Sequence, residues 1–147
     1  QQRWNVCIDA RRRQCGLCSA CLLRRMSFSS ADIPEAEDAY VFSDLTTSSY
    51  AQAKPNAKDW RPTKSMLGYA CVAVRQLQQL ADLARATDSE LQPHVFELAR
   101  DIGATREETL VQLRGLLRQH QAEWSLFLTK LGSSSFVRMW AVGVGNG

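Results

Sequence analysis

The sequence predicts a mainly α-helical protein: a three-helix bundle, or a helical hairpin plus one long helix, with an extended N-terminal arm and a short apolar C-terminal tail. Three observations carry this. Apolar residues recur at spacings of three and four from Ser65 onward. Thr87 with Glu90, and Thr105 with Glu108, have the spacing of capping boxes. Residues 27–64 are punctuated by Pro34, Pro55 and Pro62, which discourage a long helix. The chain therefore divides into a basic Cys-rich arm (1–26), an acidic then Pro/Ser-rich irregular linker (27–64), a helical core (65–132) and an apolar tail (133–147).

The first helix runs from Ser65 to near Ala86, with Leu67, Ala70, Val74, Leu77, Ala81 and Ala84 along one face. Cys71 lies beside that face and reads as a small core residue. The second begins at Thr87–Ser89, tolerates Pro93 near its first turn, buries Leu91, Val95, Leu98 and Ile102, and stops at Gly103. The third, residues 105–131, places Leu110, Leu113, Leu117, His120, Trp124, Phe127 and Leu131 at heptad spacing and spans about 40 Å. His120 on this stripe reads as a buried, hydrogen-bonded core histidine rather than a haem, pigment or metal ligand.

Elsewhere the apolar groups are isolated. "AYVF" (39–42) and Trp60 are anchors in an otherwise polar segment, which is expected to lie on its own helices or on a neighbouring protein. In the tail, Phe136, Val137, Met139, Trp140, Val142 and Val144 either close the bundle's open end or dock into another subunit. Trp60, Phe136, Met139 and Trp140 are the candidate interface residues.

Composition sets further bounds. Of 147 residues, 45% are apolar and 22% charged, enough for a core. The longest apolar run, "MLGYACVAV" (66–74), falls far short of the about 20 residues that cross a bilayer, so a soluble or peripheral protein is expected. Charge is segregated: six arginines against Asp9 give residues 1–26 a charge of +5, and five acids with no base give residues 27–48 a charge of −5. The acidic block is expected to neutralise the arm in part, which argues against a dedicated nucleic-acid binder. A start at Gln1 rather than Met reads as a processed product or a fragment. The Arg- and Ser-containing start resembles an organellar transit peptide, of mitochondrion or plastid, in composition.

The stretch "CIDARRRQCGLCSACLLRR" holds Cys7, Cys15, Cys18 and Cys21 in the order C-x7-C-x2-C-x2-C. Four thiolates are a zinc ligand set, and the surrounding arginines favour the thiolate form. Against this, Cys18 is shared between two overlapping CxxC units. A single turn is not expected to aim Cys15, Cys18 and Cys21 at one ion, and His94 and His120 lie in the helices. "CGLCSAC" resembles the first half of the CXXC-type zinc domain that binds unmethylated CpG DNA, a family whose repeated motif and distal cysteines this chain lacks. The same cysteines match the first three of a bacterial ferredoxin run, with Cys7 standing in for the fourth. Two disulfides, or four free thiols, are the competing readings. Metal binding leads, with zinc as the candidate ion.

No catalytic constellation is visible. Neither histidine has a partner at triad spacing, and there is no Gly-rich phosphate loop and no HExxH. Glu35, Glu37 and Asp38 read as a solvated charged run. The expected function is a non-catalytic subunit of a larger multiprotein assembly, docked on other protein subunits through its arm and tail. Ordering such ends costs about 1–2 kcal/mol per residue, more than a small core readily offsets. A zinc-dependent nucleic-acid-binding module is the alternative, and an iron–sulfur electron-transfer protein the third.

Overall fold

The computed structural model describes residues 5–8, 11–36, 38–53 and 62–143, with the backbone alone at 5–8, 11 and 12. Within them the chain is mainly helical. A long helix, which we label α5 (Arg106–Leu131), is the element on which the others pack. Helix α3 (Lys64–Asp82) continues through a short 3₁₀ turn (Leu83–Arg85) into α4 (Asp88–Ile102). Both capping boxes form: Thr87 and Thr105 accept from the backbone N–H of Glu90 and Glu108, whose carboxylates accept in return. Gly103, at φ +69°, closes α4 in the left-handed conformation.

Helices α3 and α4 cover successive halves of α5. Over the second half, His120 Nε2 donates to Leu77 O at 2.9 Å and Trp124 Nε1 donates to Gln78 Oε1 at 2.9 Å. Over the first half, Arg114 Nε donates to Asp88 Oδ1 at 3.0 Å. The packed helices, the long α5 among them, make the mainly helical protein the sequence predicts. Two expected core positions on α4 are not core: Leu98 is 41% and Ile102 58% exposed. That helix packs chiefly against α5, and the stripe it buries is Leu91, Val95 and Ala99, spaced by four. Leu67 is also exposed, the inward face of α3 being Ala70, Ala73, Val74, Leu77 and Ala81.

The N-terminal region is structured, which the expected arm is not. Strands β1 (Asn5–Ile8) and β2 (Arg11–Gln14) pair antiparallel, with Asn5 opposite Gln14 and Cys7 opposite Arg12. Helix α1 (Ser19–Ser30) follows and buries Leu22 and Met26, one turn apart. Residues 39–47 then form a strap joining the two ends of the chain. At one end, Val41 N–H donates to Gln14 O at 2.8 Å and Phe42 N–H to Cys15 O at 3.1 Å. At the other, Ser135 Oγ donates to Leu45 O at 2.7 Å and Phe136 N–H to Thr47 O at 2.9 Å. A short helix, α2 (Tyr50–Ala53), completes this segment.

The tail forms α6 (Phe136–Ala141), capped by Ser135. Phe136 and Val137 are buried in the same core as Leu22, Met26, Phe42, Leu45 and Trp124. The premise that the ends lack an interior of their own therefore fails for the described residues: strap, α1 and tail supply much of the main core. A second, smaller core of Leu91, Val95 and Leu117 lies between α4 and the first half of α5. No helix among the described residues is long and apolar enough to cross a membrane.

Candidate metal centre

The cluster sits where the ribbon becomes helix. Cys15 follows β2, Cys18 is the N-cap of α1 and Cys21 lies in its first turn. Between them Gly16 adopts φ +89°, and a Cβ there would meet Phe42 O at 2.7 Å. Glycine is required for both reasons, since the turn is left-handed and the strap crosses directly over it. The result gathers the three sulfurs within 4.8 Å of one another, a set that can hold a metal ion. The expectation that one turn would not aim all three inward is thereby corrected. Strand end, N-cap and helix turn each contribute one cysteine, and the left-handed glycine folds the first back onto the other two.

Cys15 and Cys21 are buried, and Cys18 is half-buried. Cys15 Sγ and Cys21 Sγ are 3.7 Å apart, well beyond the about 2.05 Å of a disulfide, and both are free thiols. The Cys18 N–H donates to Cys15 Sγ at 3.3 Å, and Cys21 Sγ donates to Gln14 Oε1 at 3.9 Å. Hydrogen bonds from the Cys15 and Cys21 thiols, helped by the backbone N–H groups of Cys21 and Ala20, hold the Cys18 thiol far below its ordinary range. The hydrogen bonds of Cys21 with Cys15 and then with Cys18, joined by burial, push Cys21 up, and the bond to Cys18 raises Cys15. One negative charge is thus comfortable here; three require a cation among them.

Arg25 lies one helical turn after Cys21. Its guanidinium donates to Phe42 O at 2.7 Å and to Ser43 O, and it covers the Tyr40 ring at 4.5 Å. It also stands within electrostatic range of Cys21. Arg25 therefore ties the strap to the cluster while countering thiolate charge. Tyr40, buried beside the cysteines, donates through its hydroxyl to Glu35 Oε1 at 2.5 Å, and Arg24 Nε lies 3.5 Å from the same carboxylate. Basic and acidic blocks do meet, through Arg24 and Glu35.

The other candidate residues fall as follows. Cys7 stands opposite Arg12 in the ribbon backbone, and its side chain lies outside the described part. Trp60 and Glu37 lie outside the described residues. Phe136 is enclosed, while Met139 and Trp140 are half-buried against the main core, Trp140 meeting Phe136 edge-on at 4.8 Å. His120 is buried and its ring is satisfied by Leu77 O; His94 is exposed, and Cys71 is half-buried on α3. Sequence reasoning counted Arg25 among the arginines that favour thiolates and Tyr40 within the "AYVF" anchor, but did not single out Gly16. The one available signal was Gly16 between two cysteines, since the strap's crossing leaves no local pattern. Comparison with family models, with curated proteins and with solved structures finds no match.

Proposed function

We propose that this chain is a non-catalytic interaction subunit of a multiprotein assembly, with its N-terminal end locked by a zinc ion on Cys15, Cys18 and Cys21 and with Cys7 as the fourth ligand. One observation carries the metal assignment. Two sulfurs about 2.3 Å from a tetrahedral zinc lie about 3.8 Å apart, and Cys15 and Cys21 stand at 3.7 Å. The chemistry of the set agrees, with thiolate donors, a helix N-terminus that favours negative charge, and Arg25 beside it. Zinc would supply cross-linking here, holding ribbon and α1 together. A closed set of four thiolates leaves no position for substrate.

The interaction role rests on surface chemistry. Exposed apolar side chains gather on the α4 and α5 hairpin, as developed below. The nucleic-acid reading is weaker because Arg24 and Arg25 are occupied within the chain, by Glu35 and by strap carbonyls, rather than open to phosphate.

Metal analysis with thiol counting on native protein tests the assignment. The expected result is one zinc per chain and cobalt substitution giving a tetrathiolate spectrum, which Cys7→Ser weakens. A metal-free protein with all thiols freely reactive and unchanged stability would sink it; a brown iron chromophore would replace it with the electron-transfer reading.

A further inference from the structure

The first half of α5 has a vacant lane beside α4. Helix α3 packs along the second half of α5 and ends at Asp82, its line broken by the 3₁₀ turn. Beyond that point a groove of about 310 Å³ continues over Leu113 and Leu117 of α5. One wall is Leu80 of α3 and Leu83 of the 3₁₀ turn. The other is the α4 face of Leu91, His94, Leu98 and Asp101, spaced three, four and three. Leu80 is 37% and Leu98 41% exposed, so apolar surface is open to solvent where a third helix would lie.

The rim is acidic. Glu97 and Asp101 border the groove, and Asp82 and Glu90 border the larger depression that shares Leu80 and Leu83 with it. The charged groups facing the two depressions are thus four carboxylates against Arg85, with the exposed His94 between them. Asp82 is already paired with Arg85 at 3.4 Å and Asp101 with Arg100 at 3.2 Å, while Glu97 has no partner among the described residues. An acidic rim around a leucine floor is complementary to a helix carrying leucine-like anchors on one face and lysine or arginine beside them.

We infer that this groove docks an amphipathic basic helix of a partner protein, laid along the vacant lane as the third member of a bundle with α4 and α5. The inference names the partner chemistry for the interaction role proposed above and rests on that reading. It is independent of the zinc assignment, which metal content reports separately.

The test uses the zinc-loaded full chain, isotopically labelled, and a helical peptide of about 18 residues, long enough for five turns. The peptide has leucine at three–four spacing and lysine elsewhere; a matched peptide replaces every lysine by glutamate. Expected are amide shifts confined to residues 80–101 and 110–117, affinity that falls as salt rises from about 50 to 200 mM, and little binding of the acidic peptide. Leu98→Ser, at an exposed position, weakens binding about tenfold or more. The double variant Glu97→Lys with Asp101→Lys reverses the preference between the peptides. Equal binding of both peptides, shifts centred on the cysteine cluster or α6, or an unchanged preference in the double variant would each overturn the inference. So would concentration-dependent self-association, or duplex DNA, that shifts the same amides. A protein that binds the basic peptide but not zinc leaves this inference standing and removes the metal reading alone.

Discussion

The two halves of α5 are packed in opposite ways. Around Trp124 and Phe127 the helix is enclosed by α1, α3 and α6, with the strap between them, and the contacts with α1, α3 and the strap join residues distant in sequence. Lys130 of α5 reaches Ser29 O and Asp32 Oδ1 of the α1 end, both at 2.7 Å. Around Leu117 the same helix is covered by α4, its neighbour in sequence, and by the 3₁₀ turn before α4, over a core of three fully buried side chains. One half is a long-range assembly tied to a candidate metal centre. The other is a local hairpin held by good caps and a thin core, with apolar surface left over. The long-range half around Trp124 ties the two ends of the chain together, and the hairpin half around Leu117 is the one for which we propose recognition.

The largest expected effect separates the halves directly. On the proposed zinc reading, stripping the metal removes the cross-link between ribbon and α1, and structural zinc sites carry much of the folding free energy of small domains. Amide protection is then lost at residues 13–26, 39–47 and 136–141, and the melting temperature falls by about 10 °C or more. Protection in α4 and the first half of α5 persists. Uniform loss across both halves would show one cooperative unit and erase the contrast.

Cavity-forming substitutions come next. Trp124 is 1% exposed and also holds Gln78, so Trp124→Ala is expected to cost about 3–5 kcal/mol. Leu91→Ala, in the thin core, is expected at the lower end of the about 2–5 kcal/mol range, since a hairpin open on one side can relax around the void. Urea unfolding measures both. An equal or larger cost at Leu91 would mean that the hairpin core is as constrained as the main one.

What the sequence disclosed follows the same division. Both capping boxes, the stop at Gly103 and the long helix were readable because caps and heptads are local signals within one element. The second half was only partly readable. Whether Phe136 closes the bundle or docks on another subunit stayed open, and "AYVF" stood as an isolated anchor, because the surfaces that bury them lie about 90 residues away in the chain: Leu45 with Ser135, Phe42 with the core below Phe136. Leu98 and Ile102 failed in the other direction. Periodicity marks an apolar face, but it does not say whether a neighbour is present in the same chain. The cysteine spacing was visible and its convergence was not, because convergence depends on the positive φ of Gly16 and on a strap that has no local signature.

Gly16→Ala sharpens that last point with a smaller change. A methyl group at φ +89°, 2.7 Å from Phe42 O, strains the turn and displaces the strap, at about 1–3 kcal/mol. Zinc affinity is expected to fall with stability, because the same turn places Cys15 against Cys21. If stability drops while metal affinity, read by competition with a chelator, stays constant, then the strap does not position the ligands.

The smallest effect belongs to the hairpin caps. Glu90 is held below its ordinary pKa, first by the Thr87 backbone N–H and then by its hydroxyl; Glu108 is held down first by the Thr105 hydroxyl and then by the backbone N–H. A carboxylate depressed in the folded state contributes stability above its unfolded pKa and loses that contribution as pH falls through the folded value. The starts of α4 and α5 are therefore expected to fray below about pH 4.5, near the ordinary glutamate range. Both carboxylates are fully exposed, so the change is local fraying rather than unfolding. It is best read in metal-free protein, where protons do not compete with zinc, from exchange of the Leu91 and Thr109 amides, which donate to Thr87 O and Thr105 O. Glu90→Gln and Glu108→Gln keep a side chain that can accept the bond but cannot titrate it, and each should flatten the acid response of its own helix only. An undiminished response in both variants would place the acid sensitivity outside the caps, and the hairpin would no longer be the part of the molecule held by local contacts.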